Sequence, residues 1–435
     1  MLLSSLTRHS RTRNLLRSTY TFHFIRNQSL ASHHTPIPYY PKQKSYKERD
    51  EQINPINPEE YSQAEPNPDD QIIIAMSSGV DSSVCAALYA KKYKNVKGIY
   101  MANWSQTASC TERDWKDVQK LCEQLNIPCE RVNFEKEYWL EVFEPMIQKY
   151  SEGLTPNPDT SCNKYVKFGK LFQYLNDKYK TQKWWLVTGH YARIMKHTPT
   201  GEYHLLRGLS RNKDQSYYLS TIPPSTMSQV LLPIGHHIKP DVRELAKEFN
   251  LHVAQKPDSQ GLCFVSPDQN NFTDFLRDYI PANPGNIVTE DGKIWGKHDG
   301  LWTATIGQRA RISMPQADPK YSGTWFVSDK DPIKNELVIV RGSNNPKLFK
   351  SGVVLNSLDW VYPVEKVLDI PNNEIQFQMS SLSNPFDIET FSVSTETNQV
   401  SIRLKKPGRA LAPGQVGCLY RGNQVLGSGT ISSVE

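Results

Sequence analysis

The feature that most constrains the fold is a regular alternation of apolar runs and helical segments that begins at Gln71. Gln71–Met76 is a short apolar run, the next four residues form a turn of small side chains, and residues 81–93 place apolar side chains at helical spacing. The alternation continues with predicted strands and helices at residues 96–101, 115–125, 129–134, 136–150 and 184–188. It predicts an α/β fold with a doubly wound parallel sheet, in which ligands bind at the carboxyl ends of the strands.

The charge of the chain is unevenly distributed. The sequence has 435 residues, enough for two or three domains, and a net charge of +6. Eight of its 51 Lys and Arg residues lie in residues 1–47, which contain no acid, so 43 basic residues face 45 acidic ones in the rest of the chain. Bulk charge therefore gives the body of the protein no affinity for nucleic acid, and local patches would have to supply it.

Composition argues against three classes of protein. No run of about 18 apolar residues occurs, so we expect no membrane-spanning helix. The seven cysteines are scattered and form no C-x-x-C, which argues against a zinc knuckle and against a secreted disulfide scaffold. We predict no metal site built from protein side chains alone.

The N-terminal region has the composition of a targeting segment. Residues 1–40 are rich in Arg, Ser and Thr, lack acids and place leucines among the arginines, which predicts a presequence for import into the mitochondrial matrix. A disordered basic tail that binds RNA is the alternative. Residues 41–70 are rich in proline and polar residues, and we predict a disordered linker there.

The turn after the first strand, S-S-G-V-D-S-S at residues 77–83, is a candidate phosphate-binding loop. A strand, a turn of small residues and a helix together point free backbone N–H groups at a phosphate. The loop is neither a Walker A motif nor G-x-G-x-x-G, and it resembles the S-G-G-x-D-S loop of N-type ATP pyrophosphatases. Ser78 replaces the first glycine, which predicts a negative φ at this position. The alternative is an ordinary serine-rich turn with Asp81 as the helix N-cap.

Cys162 lies in T-P-N-P-D-T-S-C-N-K, residues 155–164. The prolines and Asn157 predict an extended loop that presents the thiol, and a helix is expected from about Asn163. A thiol at a helix N-terminus beside lysines has a lowered pKa, and the lysines here are Lys164, Lys167 and Lys170. Asp159 could accept the proton of the thiol or hold the substrate. An incidental cysteine in a helix-start loop is the alternative.

The other cysteines have less distinctive surroundings. Cys263 follows Gly261 in an apolar segment and, taken alone, is a core cysteine. The remaining five are predicted to be buried or idle thiols. We place Cys85 and Cys122 on helices, Cys129 and Cys418 on strands, and Cys110 in a loop.

From about Gln71 to its C-terminus the chain resembles the tRNA-specific 2-thiouridylases of bacteria and mitochondria. The matching motifs are S-S-G-V-D-S-S at 77–83, G-I-Y-M-A-N-W at 98–104, E-Y-W at 137–139, T-P-N-P-D-T-S-C-N-K at 155–164, T-G-H-Y at 188–191, L-R-G-L at 206–209, K-D-Q-S at 213–216, G-L-C-F at 261–264, T-I-G-Q-R at 305–309 and P-G-Q at 413–415. N-P-D-x-x-C-N-K together with G-x-C-F is specific to these enzymes.

The resemblance implies a mechanism and a set of residues. ATP with Mg²⁺ adenylates the 2-carbonyl of the wobble uridine, and Cys263 carries the sulfur as a persulfide delivered by a sulfur-donor or sulfur-relay protein. Cys162 is implied as the nucleophile, and a Cys162–Cys263 disulfide closes the cycle and needs a reductant. Asp159 is a further candidate catalytic residue because of its position three residues before Cys162. The implied ATP contacts are Ala75, Met76, Ser77, Ser78, Gly79, Val80, Asp81, Ser82, Met101 and Gly189. The implied tRNA contacts are Asn157, Pro158 and Asp159 at the target base, and Lys213, Asp214 and Gln215.

The domains expected from this resemblance are a PP-loop ATP-pyrophosphatase domain at 71–265, a small central tRNA-binding domain at 266–346 and a C-terminal β-barrel at 347–435. Residues 308–311, Q-R-A-R, are a candidate phosphate contact in the central domain. The family has a basic and aromatic tRNA-contacting segment near the C-terminus, but residues 379–384 are neutral here, so no tRNA contact is assigned there.

Two other functions remain compatible with the loop alone. One is a PP-loop ligase whose adenylate is attacked by ammonia or an amine, and that reaction needs no cysteine pair. The other is a non-catalytic mitochondrial RNA-binding protein, which would give no ATP–pyrophosphate exchange.

Overall fold

The computed structural model describes residues 52–104, 108–258, 272–394 and 396–435. The predicted presequence and Cys263 lie outside these ranges. The strands are β1 Tyr61–Ser62, β2 Gln71–Met76, β3 Val96–Ala102, β4 Cys129–Asn133, β5 Trp184–Val187, β6 Ala192–His197, β7 Tyr203–Arg207, β8 Val230–Leu231, β9 Gly285–Thr289, β10 Ile294–His298, β11 Trp325–Asp331, β12 Glu336–Arg341, β13 Phe349–Trp360, β14 Ile375–Gln378, β15 Phe386–Ser394, β16 Gln399–Arg409, β17 Val416–Arg421 and β18 Gln424–Val434.

Two of the helices contain a π-helical stretch. The helices are α1 Val80–Lys92; α2 Ala108–Gln124; α3, made of Glu135–Tyr138, the π-helical Trp139–Phe143 and Glu144–Ser151; α4, made of Pro158–Ser161, the π-helical Cys162–Lys170 and Leu171–Lys178; α5 Lys239–Glu248; α6 Phe272–Arg277; and α7 Val364–Leu368. Short 3₁₀ turns lie at Arg211–Lys213, Ser216–Leu219, Pro224–Gln229, Pro233–His236, Leu301–Thr303, Pro346–Leu348 and Asn372–Glu374.

The domain expected at residues 71–265 from the resemblance, called the catalytic domain below, is built on a five-stranded parallel sheet with the order β4-β3-β2-β5-β8. Strand β2 lies at its centre, and Ile72, Ile73 and Ile74 are at most 1% exposed. Burial on both faces explains why this strand is a continuous apolar run without alternation. The predicted doubly wound parallel fold is confirmed.

The element boundaries differ from prediction most at α2. The helix starts at Ala108, whereas the apolar spacing predicts a start at residue 115. Cys110 therefore lies in a helix, and its predicted loop position is wrong. The first turns of α2 carry polar residues, so the apolar periodicity that reveals a helix begins only after the helix has started.

The prediction of a disordered linker is wrong for residues 52–70. Strand β1 pairs antiparallel with β6, and Asn54 is only 3% exposed. The buried Arg193 donates from Nη2 to the Asn54 carbonyl at 2.9 Å, and Trp185 Nε1 donates to Asp70 Oδ2 at 2.8 Å. Composition predicts disorder here, but these polar groups are satisfied by partners more than 100 positions away, which composition cannot reveal.

Two β domains follow the catalytic domain. The central one is a four-stranded sheet with the order β10-β9-β12-β11. The C-terminal one is the expected barrel: its six strands β13, β16, β15, β14, β17 and β18 pair in that order, and β18 closes it against β13. The barrel is joined to the catalytic domain where β18 pairs with β7 at Gln424 and Leu206. None of the helices in the described ranges is long and apolar enough to cross a bilayer.

Candidate active site

The loop between β2 and α1 has an unusual backbone at Ser78, whose φ is +60°. The predicted negative φ is therefore wrong. A non-glycine residue in this region costs roughly 1–3 kcal/mol, and two hydrogen bonds offset that cost. Ser78 Oγ donates to Asp114 Oδ1 at 2.6 Å and accepts from Lys256 Nζ at 2.9 Å. The serine side chain is thus fixed by partners on α2 and near residue 258.

Asp81 is not the N-cap of α1. The N-cap is Gly79, which makes no side-chain cap, and Asp81 is the second residue of the helix. This removes the alternative in which Asp81 is explained as a helix cap. The Asp81 carboxylate instead points into a cavity.

A cavity of about 340 Å³ lies at the carboxyl ends of β2, β3 and β5, and it is called the nucleotide cavity below because the predicted ATP contacts line it. Nine of the ten predicted ATP contacts line it, and these are Ala75, Met76, Ser77, Gly79, Val80, Asp81, Ser82, Met101 and Gly189. The tenth, Ser78, is 4% exposed and makes the hydrogen bonds described above. A Cβ on Gly189 would lie 2.8 Å from the Ser82 nitrogen, so this position requires glycine. The loop and Gly189 therefore meet at one wall of the cavity.

A network of charges crosses this cavity. Asp81 Oδ1 accepts from Tyr191 Oη at 2.8 Å and from Lys239 Nζ at 2.7 Å. Lys239 also reaches Asp258 Oδ1 at 3.0 Å. Burial favours a raised pKa for Asp258, but hydrogen bonds from Lys239 and Lys213 outweigh it and lower the pKa to about 2. Burial, followed by the nearby Asp81, raises the pKa of Tyr191, which therefore remains a donor at neutral pH.

Cys162 lies inside α4 and not in a loop that presents it. Asn157 caps the helix by accepting from the backbone nitrogens of Asp159 and Thr160, at 3.2 and 3.3 Å, and Pro158 is the first helical residue. The thiol is buried, with Cys162 only 6% exposed. Asn followed by Pro is a recognised helix start, so the sequence held the signal that would have corrected the loop prediction.

The three lysines predicted to favour a thiolate at Cys162 have different environments. Lys164 Nζ forms an ion pair with Asp359 Oδ1 of the barrel at 2.6 Å, whereas Lys167 lines the nucleotide cavity. Lys170 is not among the residues that line it. Burial raises the pKa of Asp159, and Lys167 partly offsets this rise. Burial and Lys167 together hold the pKa of His190 well below its ordinary value, so this histidine is neutral.

The K-D-Q triplet is divided between the cavity and the core. Lys213 and Gln215 line the cavity, and Gln215 Oε1 accepts from the Tyr191 backbone nitrogen at 2.9 Å. Asp214 is 5% exposed and accepts from the Gly208 nitrogen at 2.8 Å and from Arg207 at 3.0 Å. The carboxylate is therefore used inside the fold, and the tRNA contact of Asp214 stays a prediction.

Other predicted residues lie outside this cavity. Residues 308–311 line a separate cavity of about 170 Å³ in the central domain, together with Lys297. Cys263 lies outside the described residues, five positions after Asp258. Cys122 and Cys418 are buried, which raises the pKa of each to about 12. These two thiols therefore stay protonated at neutral pH, in line with their predicted idle role.

Sequence reasoning missed Lys239, Tyr191 and Asp258. Tyr191 is the last residue of the T-G-H-Y motif, and Lys239 precedes a proline at the start of α5, so both lie at recognisable signals. The charge network joins them through Asp81 and draws on four segments of the chain, so no local spacing predicts it.

Fold and site together define a nucleotide-binding α/β enzyme of the PP-loop class with two appended β domains. Three family models match in succession: a tRNA methyl transferase HUP domain over residues 70–267, a tRNA methyl transferase PRC-barrel domain over residues 273–341 and an aminomethyltransferase beta-barrel domain over residues 350–431. The descriptions of these family models refer to methyltransferases, whereas the relatives that match along most of the chain are named 2-thiouridylases.

The chain is 50% identical over 384 residues to the mitochondrial tRNA-specific 2-thiouridylase 1 of Saccharomyces cerevisiae, covering 84% of this chain and 92% of that protein. It is 38% identical to the tRNA-specific 2-thiouridylase MnmA of Alkaliphilus oremlandii, covering 84% and 98%. It is also 38% identical to the mitochondrial tRNA-specific 2-thiouridylase 1 of Schizosaccharomyces pombe, covering 85% and 92%. The chain belongs to the tRNA-specific 2-thiouridylase family, a family of tRNA sulfurtransferases.

Proposed function

We propose that the protein forms 2-thiouridine at the wobble position of mitochondrial tRNAs, with ATP and Mg²⁺ to activate the base and a persulfide to supply the sulfur. The observation that carries this proposal is a shared wall: Lys167 and Leu171, on the helix that contains Cys162, line the nucleotide cavity. An activated carbonyl and a sulfur nucleophile must meet within a few ångströms. Because α4 contains Cys162 and also forms part of the nucleotide cavity, it supports a reaction in which sulfur attacks the adenylated base.

In the first step, the uracil O2 attacks the α-phosphorus of ATP, and pyrophosphate leaves with the electron pair of the broken P–O bond. The first backbone N–H groups of α1 and the small residues of the loop suit the phosphates. Within the described residues no group of three metal-ligating side chains occurs. Mg²⁺ would therefore be held chiefly by the phosphates with Asp81, and it would neutralise their charge.

In the second step, sulfur displaces AMP from C2 of the base. Cys162 as a thiolate attacks the inner sulfur of the Cys263 persulfide, and hydrosulfide leaves to attack C2. Alternatively, the terminal sulfur attacks C2 directly and Cys162 then releases it. Both routes end in a Cys162–Cys263 disulfide, which takes two electrons from a reductant to return to thiols. Asp159, with its pKa raised by burial, is suited to hold the proton that Cys162 releases.

The proposed partners follow from the same chemistry. A sulfur-relay protein loads Cys263, and the tRNA places its target base near Asn157, Pro158 and Asp159, with Lys213 and Gln215 at its backbone. Two relatives are named as mitochondrial, and this, together with the acid-free leader of residues 1–40, supports a matrix location. A fusion of this leader to a reporter that stays in the cytosol would contradict it.

The test is a thiolation assay with purified protein, mitochondrial tRNA, Mg²⁺–ATP and a persulfide donor, read by mass spectrometry of the nucleosides. We expect Cys162→Ala and Cys263→Ala each to abolish 2-thiouridine, while ATP–pyrophosphate exchange persists. Cys129→Ala is the matched control, because Cys129 is the first residue of edge strand β4 and is not among the residues that line the cavity at the carboxyl ends of the strands. Full thiolation by Cys263→Ala would overturn the mechanism. ATP–pyrophosphate exchange that survives Cys162→Ser, in a protein that forms no 2-thiouridine even when unaltered, would favour an amine-using ligase.

A further inference from the structure

Lys239 is a nearly buried cation inside the nucleotide cavity that the proposed mechanism does not yet use. It is the first residue of α5, and its side chain is 12% exposed. Its Nζ lies 2.7 Å from Asp81 Oδ1, 3.0 Å from Asp258 Oδ1 and 5.6 Å from the centroid of the Tyr191 ring. The ammonium therefore connects the phosphate-binding loop with the segment that ends at Asp258.

The two carboxylates depend on Lys239 to different degrees. Asp258 also forms ion pairs with Lys213, at 3.1 Å, and with Arg243. Within the described part of the chain, Lys239 is the one basic side chain that forms an ion pair with Asp81. If Lys239 moved away, Asp258 would keep two cations, whereas Asp81 would need another. A ligand that draws Lys239 away would therefore change the charge balance at Asp81 more than at Asp258.

The surroundings of Lys239 favour a polyphosphate as that ligand. The lysines that line the cavity are Lys167, Lys213 and Lys239, against the carboxylates of Asp81 and Asp258, so the lining has one surplus positive charge. A lysine is a compact point charge on a flexible stem, which suits it to follow a phosphate group. Its flexibility also allows the ammonium to leave one carboxylate while it keeps the other.

We propose that Lys239 binds the β- and γ-phosphates of ATP and stabilises the departing pyrophosphate, an inference that rests on the proposed ATP-dependent function. Its ammonium forms an ion pair with Asp81, the carboxylate proposed above to hold Mg²⁺. When ATP binds, the ammonium turns to the phosphates and leaves Asp81 for Mg²⁺. As the bond between the α-phosphorus and the bridging oxygen breaks, the electron pair goes to pyrophosphate, and Lys239 compensates the added negative charge without giving up its proton.

The test is isothermal titration calorimetry of the full chain with Mg²⁺–pyrophosphate and, separately, with AMP. Lys239→Met should weaken pyrophosphate binding by roughly 10- to 100-fold, the range for a lost charged hydrogen bond, and AMP binding by less than about 3-fold. Lys239→Arg should recover most of the pyrophosphate affinity. Lys247→Met is the matched control, because Lys247 lies on the same helix, is half exposed and pairs with Glu244.

The outcomes separate a phosphate-binding role from a purely structural one. Equal loss of AMP and pyrophosphate binding in Lys239→Met, or a pyrophosphate affinity equal to that of the unaltered protein, would overturn the proposal. If Lys239→Met does not fold, Lys239→Gln is measured in the same way and judged by the same ratio. An unaltered protein that binds neither AMP nor pyrophosphate would overturn the ATP role of the cavity, and this inference with it.

Discussion

The nucleotide cavity is assembled within the catalytic domain, whereas the segment that leads into the Cys162 helix is held largely from outside it. The cavity is bounded by the ends of β2, β3 and β5 and by residues of the same domain. The segment before Cys162 is fixed by Lys330 Nζ, which donates to the Gly153 carbonyl at 2.7 Å, and by the Pro413 carbonyl, which accepts from Thr155 at 3.0 Å. One partner belongs to the central domain and the other to the barrel.

This difference has a mechanistic consequence. ATP binding should depend on the catalytic domain alone, whereas the position of the nucleophile should depend on how both β domains pack. The ion pair between Lys164 and Asp359 adds a third external contact, directly on α4. Mutations on the two sides should therefore separate adenylation from sulfur transfer.

The largest effect is expected for Gly189→Val, on the nucleotide side. The new Cβ would lie within 3.0 Å of backbone atoms of Asp81 and Ser82, and neither can move without displacing the loop. We expect ATP binding to fall by more than about 100-fold, equivalent to roughly 3 kcal/mol. Calorimetry with ATP measures this, and the thermal unfolding midpoint shows whether the fold survives. A folded variant with normal ATP affinity would remove Gly189 from the site.

Gly414→Val tests the external support of the segment that leads into the Cys162 helix. Gly414 has a φ of +91°, and a Cβ there would lie 2.6 Å from the Thr155 nitrogen. The substitution should displace the segment before α4 and reduce the thiolation rate by roughly 10- to 100-fold, in line with the effect of misplacing a reacting group by about 1 Å. ATP affinity should stay unchanged. Equal loss of ATP affinity would show that the two sides are not independent.

Lys330, which supports the segment before Cys162, should make the free energy of unfolding depend on pH. Burial lowers its pKa to about 8, whereas an unfolded lysine has a pKa of about 10.4. Between these values the unfolded state binds more protons, so this group makes the free energy of unfolding rise with pH. The difference in that free energy between the unaltered protein and Lys330→Met should therefore increase from about pH 8 to 10 and stay constant below about pH 7. Urea unfolding at each pH measures it; a difference that stays constant throughout would contradict the burial of the ammonium.

The smallest effect is expected for the ion pair between Lys164 and Asp359. The two side chains are 30% and 24% exposed, so solvent screens their attraction. A double-mutant cycle with Lys164→Met and Asp359→Asn should give a coupling energy of about 0.5–1 kcal/mol in urea unfolding. Pyrophosphate exchange should not change in any of these variants. A coupling energy near zero would leave the Gly153 and Thr155 contacts as the external supports of this segment.

The same division explains what the sequence could predict. The isoleucines of β2 and the turn after them are local signals, and they locate the sheet and the loop. The family resemblance, rather than these signals, implied the nine ATP contacts that line the cavity. The left-handed backbone of Ser78 depends on Asp114 and Lys256, and the burial of Cys162 depends on packing beneath α4. Residues 52–70 have the composition of a linker, but contacts with Arg193 and Trp185 order them. Such outcomes depend on side chains that meet only after folding.

The pairing of β7 with β18 also affects how the protein is made. Leu206 and Gln424 are 218 positions apart, and β7 uses its other edge to pair with β6. Because synthesis proceeds from the N-terminus, the outer edge of β7 remains without its partner strand while the following domains are translated. An unpaired edge can recruit another strand and aggregate. We therefore expect chaperones to bind this hairpin on nascent chains, and release to coincide with closure of the barrel.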